Sequence, residues 1–370
     1  MSLVTLAPGV LAVHGAGQAE TFWQQIAHRD PCLILTVAHT LTAEQPGISA
    51  AGSHPSLRRT TAAADAEYLF AGRTFSQPQI PCHPLGIPGP VVISRAMSKA
   101  LPNLVKICVD AGSYGSPGIP HLRWGDRPAN CVSSGQALPR SVVEALWQRA
   151  YDWGWAWGQQ WGQQGYVILG ESVPGGTTTA LGVLLGLGFD AEHRVSSSWA
   201  GGSHALKLQL LAGLRKGAYR LDPLGAVAAV GDPMQPVVAG LALGCSQFCP
   251  VLLAGGTQML AVLALITALG TPGSLAIGTT GWVVRDPQAD FVGLAGLIQE
   301  QRGGLVIPCC GADLNFQGSR LTCLRGYDLG HVKEGVGCGG LSLAVMRRWG
   351  WDPDEILGAV EAECRALGFS

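Results

Sequence analysis

The chain has 370 residues, enough for one large domain or two ordinary ones. Only 13% of the residues are charged, against about 25% in a typical domain, and 52 are glycine, which favours a compact protein with many tight turns and buried strands. The formal net charge of −1 gives no electrostatic basis for nucleic-acid binding, and no basic run occurs.

The cysteines and the N-terminus predict a cytoplasmic protein. Eleven cysteines are scattered without a disulfide framework, which is typical of reduced, buried thiols. The N-terminus lacks the basic and apolar segments of a signal peptide. The most apolar stretch, residues 250–270, contains GGTQ in its first third, so it predicts a strand, a loop and a helix instead of a membrane span. Neither Cys-x-x-Cys nor His-Glu-x-x-His occurs, and we predict no metal site.

Residues 1–100 are less regular than the rest of the chain. Residues 33–37 and 91–93 are apolar, β-branched runs that predict strands. Between them, residues 45–90 are rich in Ser, Pro and Gly. Because that stretch is long for a structureless connection, we expect it to hold a functional loop or a small lobe.

From residue 105 onward, short apolar runs alternate with helical patterns. Strands are predicted at residues 105–109, 166–169, 251–254, 275–277 and 305–307. Helices are predicted from about residue 141, from 178 to 188, from 203 to 216, from 232 to 245, up to 269, from about 290, and after 352.

Three helix starts carry capping patterns. Ser141 with Glu144 predicts a capping box, and residues 232–235 have the order N-cap, proline, Met and Gln. Residues 352–355 predict the cap of the last helix. The first of these helices carries a repeated apolar and aromatic face: Leu146, Ala150, Trp153, Trp157 and Trp161. We interpret its tryptophans as packing or interface residues.

Nearly all-apolar strands that alternate with helices predict an α/β fold: a parallel sheet with helices on both faces, Rossmann-like and three-layered. We assign residues 101–345 to this large domain. A small, mainly helical lobe is predicted from residues 1–100 and a C-terminal helix in residues 346–370.

Two glycine-rich loops carry the functional signal. Residues 170–179 read GESVPGGTTT, and residues 333–340 read KEGVGCGG. Each is predicted to open a helix, where backbone N–H groups suit a phosphate. Each also carries one carboxylate, Glu171 or Glu334, which a phosphate would repel unless the carboxylate has a separate task such as taking a proton. The pair predicts an enzyme that acts on a phosphorylated small molecule.

The first loop differs from a P-loop at one decisive position. Gly176 stands where the Walker A motif requires lysine, which argues against a nucleoside triphosphatase. A monophosphate cradle fits better, with Thr177 and Thr178 as hydroxyl donors. The alternative is a tight turn without a ligand. No dinucleotide fingerprint follows an early strand, so a nicotinamide-dependent oxidoreductase has little support.

Glu334 is the sharpest catalytic candidate. Glycines surround it in the second loop, and a carboxylate in a partly dry cleft has a raised pKa and suits a general base. The alternative is a carboxylate that only stabilises the start of a helix.

Residues 170–178 and 334–337 resemble the two signature loops of the nicotinate-nucleotide:dimethylbenzimidazole phosphoribosyltransferase family. Residues 232–240 and 251–258 correspond to two further segments of that family, so the resemblance extends in order over residues 105–345. The chain resembles a divergent, largely uncharacterised branch.

The resemblance implies phosphoribosyl transfer from nicotinate mononucleotide to a heterocyclic base, without metal or cofactor, to give the α-ribotide of the cobamide lower ligand. It implies that Glu334 is the general base and that Glu171 assists or orients. The remaining residues implied to bind substrate are Gly170, Gly175, Gly176, Thr177, Thr178, Lys207, Thr279, Thr280, Gly335 and Gly337. The family also implies a homodimer, for which the Trp-rich helix is a candidate interface.

The chain departs from the family pattern at several positions. Gly176 replaces the usual asparagine, Thr179 the usual proline, and Ala254 stands in place of an aspartate. The family's N-terminal base-binding segment has no counterpart in residues 40–90. The acceptor is therefore left open between dimethylbenzimidazole and adenine, and the alternative function is a non-catalytic nucleotide-binding or regulatory protein on the same fold.

Overall fold

The computed structural model describes residues 3–215, 221–301 and 303–370. Within these ranges one sheet is formed by β1 (Val4–Ala7), β2 (Val10–His14), β3 (Asp30–Ala38), β4 (Val105–Gly112), β5 (Leu122–Arg123), β6 (Gly165–Ser172), β7 (Val251–Ala254), β8 (Leu275–Thr280) and β9 (Cys309–Ala312). The α-helices of the same ranges are α1 (Ala16–Gln25), α2 (Arg58–Ala71), α3 (Val91–Ala100), α4 (Arg140–Trp161), α5 (Gly176–Gly186), α6 (His204–Leu210), α7 (Ala212–Arg215), α8 (Pro223–Val230), α9 (Met234–Cys245), α10 (Thr257–Leu269), α11 (Gly281–Val284), α12 (Phe291–Gln301), α13 (Cys338–Trp349) and α14 (Pro353–Ala366).

The strands lie in the order β1-β2-β9-β8-β7-β6-β3-β4-β5. Every neighbouring pair from β9 to β5 is parallel, whereas β1 and β2 add an antiparallel edge. Ile34 of β3 lies between Ile107 and Leu169 at the centre of the sheet. Strands β6, β7 and β8 are buried along their whole length because helices cover both faces. The predicted fold class is therefore confirmed, and the antiparallel edge is an addition to it.

Two hydrophobic cores lie on the two faces of the sheet. One contains α4, α5, α8, α9, α10 and α12, and the other contains α1, α2, α3, α13 and α14. On the second face, α2, α3 and α14 pack together, and Glu363 accepts hydrogen bonds from Tyr68 and Lys99. These helices correspond to the predicted small lobe. Strands β1 to β3 join the large sheet, however, so the division near residues 100 and 345 stays a prediction.

Residues 91–93 were predicted to be a strand, and this prediction is wrong. They open α3, which follows Pro90 and packs against α13 and α14. A run of three apolar residues does not distinguish a buried strand from a buried helix, and the surrounding packing decides between them.

The strand predicted at residues 305–307 is also displaced. Leu305 and Val306 are exposed, and the strand begins at Cys309. Its small residues (CCGA) carry a weak strand pattern, but pairing with both β2 and β8 places them in the sheet.

One predicted helix cap does not form, and one predicted helix is interrupted. The α4 helix begins at Arg140 without a side-chain cap, and Glu144 accepts a hydrogen bond from Arg140 instead of closing a capping box with Ser141. The helix predicted over residues 203–216 is interrupted at Leu211, Ser203 does not cap it, and Lys216 lies outside the described residues. The predicted cap at Asp352 is confirmed as a complete capping box.

The Trp-rich helix α4 packs along α9 and stacks its own aromatic rings. Trp153, Trp157 and Trp161 form a ladder with ring centroids 5.3 and 5.9 Å apart, which agrees with a packing role. The homodimer interface stays a prediction. None of the helices in the described ranges has the length and hydropathy needed to cross a bilayer.

Candidate functional site

A cleft lies at the carboxyl edge of the parallel strands, where β6, β7 and β8 end. About 930 Å³ of space free of protein atoms lies within it, a figure that includes solvent at its open mouth. One side, the glycine-loop wall, consists of residues 171–177 and 332–336. The other side, the N-terminal wall, consists of residues 48–52, 61, 65, 81–83 and 89–90. Chain segments far apart in sequence thus enclose one volume.

The two glycine loops touch each other at the base of the cleft. The amide of Val336 donates a hydrogen bond of 2.8 Å to the carbonyl of Glu171. A Cβ atom on Gly170 would lie 3.4 Å from Cα of Gly337, so the two backbones are in van der Waals contact. The loops are therefore one connected structure.

Both loops open helices, as predicted. Gly175 at φ 79° precedes α5, and Gly337 at φ 69° precedes α13, conformations that glycine adopts without strain. A Cβ atom on Gly176 would lie 2.0 Å from the side-chain oxygen of Gln258, so that side chain would have to move to accommodate it. The amides at the start of α5 form an edge of the cleft suited to an anion.

Glu334 is held firmly by its own loop. Its Oε1 accepts hydrogen bonds of 3.1 Å from the amides of Gly335 and Gly339 and from Sγ of Cys338. Its Oε2 accepts a longer bond of 3.4 Å from Oγ1 of Thr279. Burial raises the pKa of the Glu334 carboxyl, although these hydrogen bonds oppose the shift. Such a carboxyl holds a proton more readily than an exposed glutamate does.

Glu171 lies close by and has an incomplete set of partners. Its Oε1 accepts a hydrogen bond of 3.1 Å from Gln258, while its Oε2 is buried without one. Burial, and then the nearby carboxylates Asp232 and Glu334, raise the pKa of Glu171 to about 8. Asp232 is itself buried at the start of α9, and burial raises its pKa to about 6. Three buried carboxyl groups, those of Glu171, Asp232 and Glu334, therefore interact here, and the pKa of each is raised.

Two buried lysines supply the opposite charge. Nζ of Lys333, in the glycine-loop wall, lies 3.1 Å from the carboxylate of Asp286 and donates to the carbonyl of Gly330 at 2.9 Å. Nζ of Lys207 donates a 2.6 Å hydrogen bond to the carbonyl of Ser196, a cleft residue. Burial, and then Lys333, lower the pKa of Lys207 to about 7. Asp286 pairs with Lys333 and also attracts the charge of Lys207.

The N-terminal wall contributes two buried polar groups with unpaired atoms. Oδ2 of Asp65 accepts a hydrogen bond of 2.7 Å from Ser172, but its Oδ1 has no partner. Nδ1 of His83 accepts from the amide of Leu85 at 3.1 Å, and its Nε2 has no partner. Both residues line the cleft. Among the residues that the structure describes, no group of three or more His, Cys, Asp or Glu side chains is arranged to hold a metal ion.

Comparison with known proteins identifies the family. No family model matches the chain. The UPF0284 protein of Gloeothece citriformis is 42% identical over 355 residues, which cover 93% of this chain and 94% of that protein. The UPF0284 protein of Synechocystis sp. is 42% identical over 354 residues and is covered to 93%, as is this chain. The chain belongs to the UPF0284 family.

Two solved structures share the fold of this UPF0284 member. CobT from Thermus thermophilus superposes with a TM-score of 0.57 at 16% identity, over 96% of both chains. A nicotinate-nucleotide-dimethylbenzimidazole phosphoribosyltransferase from the same organism gives 0.56 at 16% identity, over 96% of this chain and 95% of that one. The fold implied by the two glycine loops is thus confirmed.

Half of the predicted site residues line the cleft of this UPF0284 member. They are Glu171, Gly175, Gly176, Thr177, Glu334 and Gly335. Their roles stay predictions, but the structure brings all six to one volume. The two loops, separated by more than 150 residues, meet as the sequence indicated.

The other predicted residues lie behind this lining. Gly170 and Gly337 form the contact between the loops, and the hydroxyl of Thr178 is buried without a partner. Oγ1 of Thr279 is directed at Glu334, and Oγ1 of Thr280 donates 2.6 Å to the carbonyl of Lys333. Through these hydrogen bonds the two threonines hold the second loop in position.

Four polar residues of the site were missed by the sequence analysis. Lys333 stands inside the second motif, but a single lysine beside a glutamate carries no pattern that separates it from a solvated surface residue. Asp286 and His83 carry no local pattern either. Asp65 and Glu67 are the acidic residues within an alanine-rich stretch of a buried helix, and acids among such small apolar residues were the available signal.

Proposed function

We propose that this protein transfers the phosphoribosyl group of nicotinate mononucleotide to a heterocyclic base, dimethylbenzimidazole or adenine, and forms the α-ribotide of a cobamide lower ligand. The observation that carries the proposal is the convergence of Glu171, Glu334 and two helix-opening glycine loops on one cleft. The likeness in fold to a phosphoribosyltransferase of that specificity supports it.

Glu334 is the general base of the proposed reaction. It takes the proton from one ring nitrogen of the acceptor while the other ring nitrogen attacks C1′ of the ribose. The bond between C1′ and the pyridinium nitrogen breaks, and nicotinate leaves with the bonding electrons. Attack on the face opposite the leaving group inverts C1′ to the α-configuration. The raised pKa of Glu334 supports its ability to hold the proton that it receives.

The distribution of charge fits the two ends of the donor. The 5′-phosphate is bound at the start of α5 beside Thr177, with Lys333 and Lys207 as counter-charges. The ribose gains positive charge as the pyridinium leaves, and Glu171 lies in the same cleft, where its ionised form, which predominates above a pKa of about 8, stabilises that charge. Proton transfer and charge stabilisation are thus assigned to different carboxylates.

The test is release of nicotinate from nicotinate mononucleotide, followed by chromatography, with dimethylbenzimidazole, with adenine and with no base. We expect release that depends on a base. Glu334→Gln keeps the size and the hydrogen-bonding oxygen but cannot accept the proton, so we expect a loss of about 10²- to 10⁴-fold in rate.

Glu20→Gln is the matched control, because it makes the same chemical change on an exposed part of α1. It should leave the rate unchanged. If nicotinate mononucleotide binds but no base causes release, the transferase proposal fails and the non-catalytic binding protein becomes the better account. Release that survives in Glu334→Gln would remove Glu334 from the role of base.

A further inference from the structure

The N-terminal wall faces the cleft with polar groups that nothing in the described protein satisfies. Asp65 is 4% exposed and lies on α2, and its Oδ1 has no hydrogen-bond partner. Its other oxygen is occupied by Ser172, next to Glu171 at the end of β6. Leaving a buried carboxyl oxygen unpaired is costly, so a ligand that donates a hydrogen bond there gains affinity.

His83 supplies the complementary group on the same wall. It is 1% exposed, and the amide of Leu85 donates to its Nδ1, which must therefore carry the lone pair. Burial, and then His331, lower the pKa of His83 to about 4, so the ring is neutral near pH 7. In that state the proton resides on Nε2, the unpaired atom. His83 therefore offers a hydrogen-bond donor. Burial raises the pKa of Asp65 to about 7, so its ionised form, which predominates above that pH, offers an acceptor.

The ring of His83 is fixed in place by aromatic neighbours. Its centroid lies 5.0 Å from that of Trp199 and 4.7 Å from that of His331, in edge-to-face arrangements. The wall around it is otherwise made of small and apolar side chains, among them Ile48, Ala50 and Pro90. A mainly apolar lining with one fixed donor and one acceptor is typical of a site for a heterocycle.

We propose that Asp65 and His83 determine the acceptor specificity of the cleft, and that they select a heterocycle of the aminopurine class, which carries an N–H donor and a ring-nitrogen acceptor on the ring away from the reacting imidazole nitrogens. This inference rests on the proposed phosphoribosyl transfer. A dimethylated benzimidazole presents methyl groups at the benzene edge, and these would leave both protein groups buried and unpaired. Sites built to hydrogen-bond a ligand discriminate strongly against analogues that lack the polar group.

The experiment measures binding and turnover separately. Binding of adenine, purine, benzimidazole and dimethylbenzimidazole is measured by calorimetry on the full chain, without donor and with ribose 5-phosphate. We expect adenine to bind at least 10-fold more tightly than dimethylbenzimidazole, with purine between them. Competition between adenine and dimethylbenzimidazole in the nicotinate-release assay should show the same preference in kcat/KM.

Two variants assign the preference to the two residues. Asp65→Leu removes the acceptor at similar volume, and His83→Phe keeps an aromatic ring but removes the donor. Each should weaken adenine binding by about 10- to 100-fold and leave dimethylbenzimidazole binding equal or stronger. Asp65→Asn retains one oxygen and should give a smaller loss. Thermal unfolding of each variant identifies any change caused by misfolding, in which case Asp65→Asn and His83→Gln carry the comparison.

The outcomes separate this inference from the proposed function. If wild-type protein transfers both bases equally well, the specificity inference is overturned while the transferase stands. If neither base is transferred but adenine binds with a preference that Asp65→Leu abolishes, the recognition site stands and the transferase fails. Binding of no base to the wild-type protein, or an undiminished preference in both variants, overturns the inference.

Discussion

The two walls of the cleft differ in how their polar groups are satisfied. In the glycine-loop wall, Glu334 accepts hydrogen bonds at both oxygens and Lys333 has both a carboxylate and a carbonyl as partners. In the N-terminal wall, Asp65 and His83 each keep an unpaired atom. Groups that are satisfied within the protein hold a fixed geometry, whereas buried unpaired groups gain most from a ligand. The satisfied groups of the glycine-loop wall suit catalysis, and the unpaired groups of the N-terminal wall suit the selection of a ligand. Oε2 of Glu171 is an exception, because it is unpaired although it belongs to the glycine-loop wall.

The largest expected effect concerns the buried ion pair that Lys333 of the glycine-loop wall forms with Asp286. Lys333 and Asp286 form a buried pair, with side chains 3% and 2% exposed. Lys333→Met leaves Asp286 buried without its main partner, and we expect a loss of about 3 kcal/mol in the free energy of unfolding, measured with urea. The double variant Lys333→Met/Asp286→Asn should recover much of that loss. Additive effects of the two changes would show that the pair does not act as a unit.

The next prediction concerns Gly339, which packs closely against the side chain of Glu334. A Cβ atom on Gly339 would lie 2.4 Å from the carbonyl carbon of Thr279 and 2.5 Å from Oε2 of Glu334. Since backbone atoms have to move, Gly339→Ala should lower the free energy of unfolding by about 2 kcal/mol and disturb Glu334. Gly358→Ala in α14, where a Cβ atom meets nothing within 4 Å, is the matched control and should not destabilise the protein. Equal effects at the two glycines would contradict the tight packing.

A third prediction uses pH to examine Glu171. Its pKa of about 8 lies above the ordinary value of 4.5, so the folded state retains a proton that the unfolded state releases. The stabilisation from this proton is complete at acid pH and is lost as pH rises through 8. The free energy of unfolding of the wild type, relative to Glu171→Gln, should therefore fall between about pH 5 and 8, by about 1 kcal/mol per pH unit. A relative stability that rises over this interval would contradict the burial of an unpaired carboxyl.

The smallest expected effect concerns Gly86, which follows shortly after His83 of the N-terminal wall. Gly86 adopts φ 77°, and a Cβ atom there meets nothing within 4 Å. Gly86→Ala therefore costs only the backbone strain, about 1 kcal/mol or less in the free energy of unfolding. Binding of nicotinate mononucleotide should be unaffected. A loss of stability above that of Gly339→Ala would contradict the open space around Gly86.

Local patterns were sufficient for much of the fold. The strands at residues 33–37, 166–169 and 251–254 and the cap at Asp352 were predicted because apolar runs and capping residues are local signals. Residues 91–93 and 305–307 were assigned wrongly because a short apolar run has no unique structure before it is packed. The antiparallel strand β2 depends on its pairing with β9, which lies near the other end of the chain and which no local pattern reveals.

Local sequence patterns were enough to identify the two loops that form the glycine-loop wall. Glycines at helix starts and the carboxylates Glu171 and Glu334 leave a recognisable order of residues, because backbone conformation and chemistry there are set within each loop. The residues of the N-terminal wall could be recognised only in the folded structure. Asp65 and His83 belong to the stretch of residues 45–90, for which the sequence predicted no helix or strand, and their importance arises from burial beside residues 172 and 331, which are distant in sequence. An unpaired buried atom is a property of the assembled fold, since solvent satisfies the same atom in the unfolded chain.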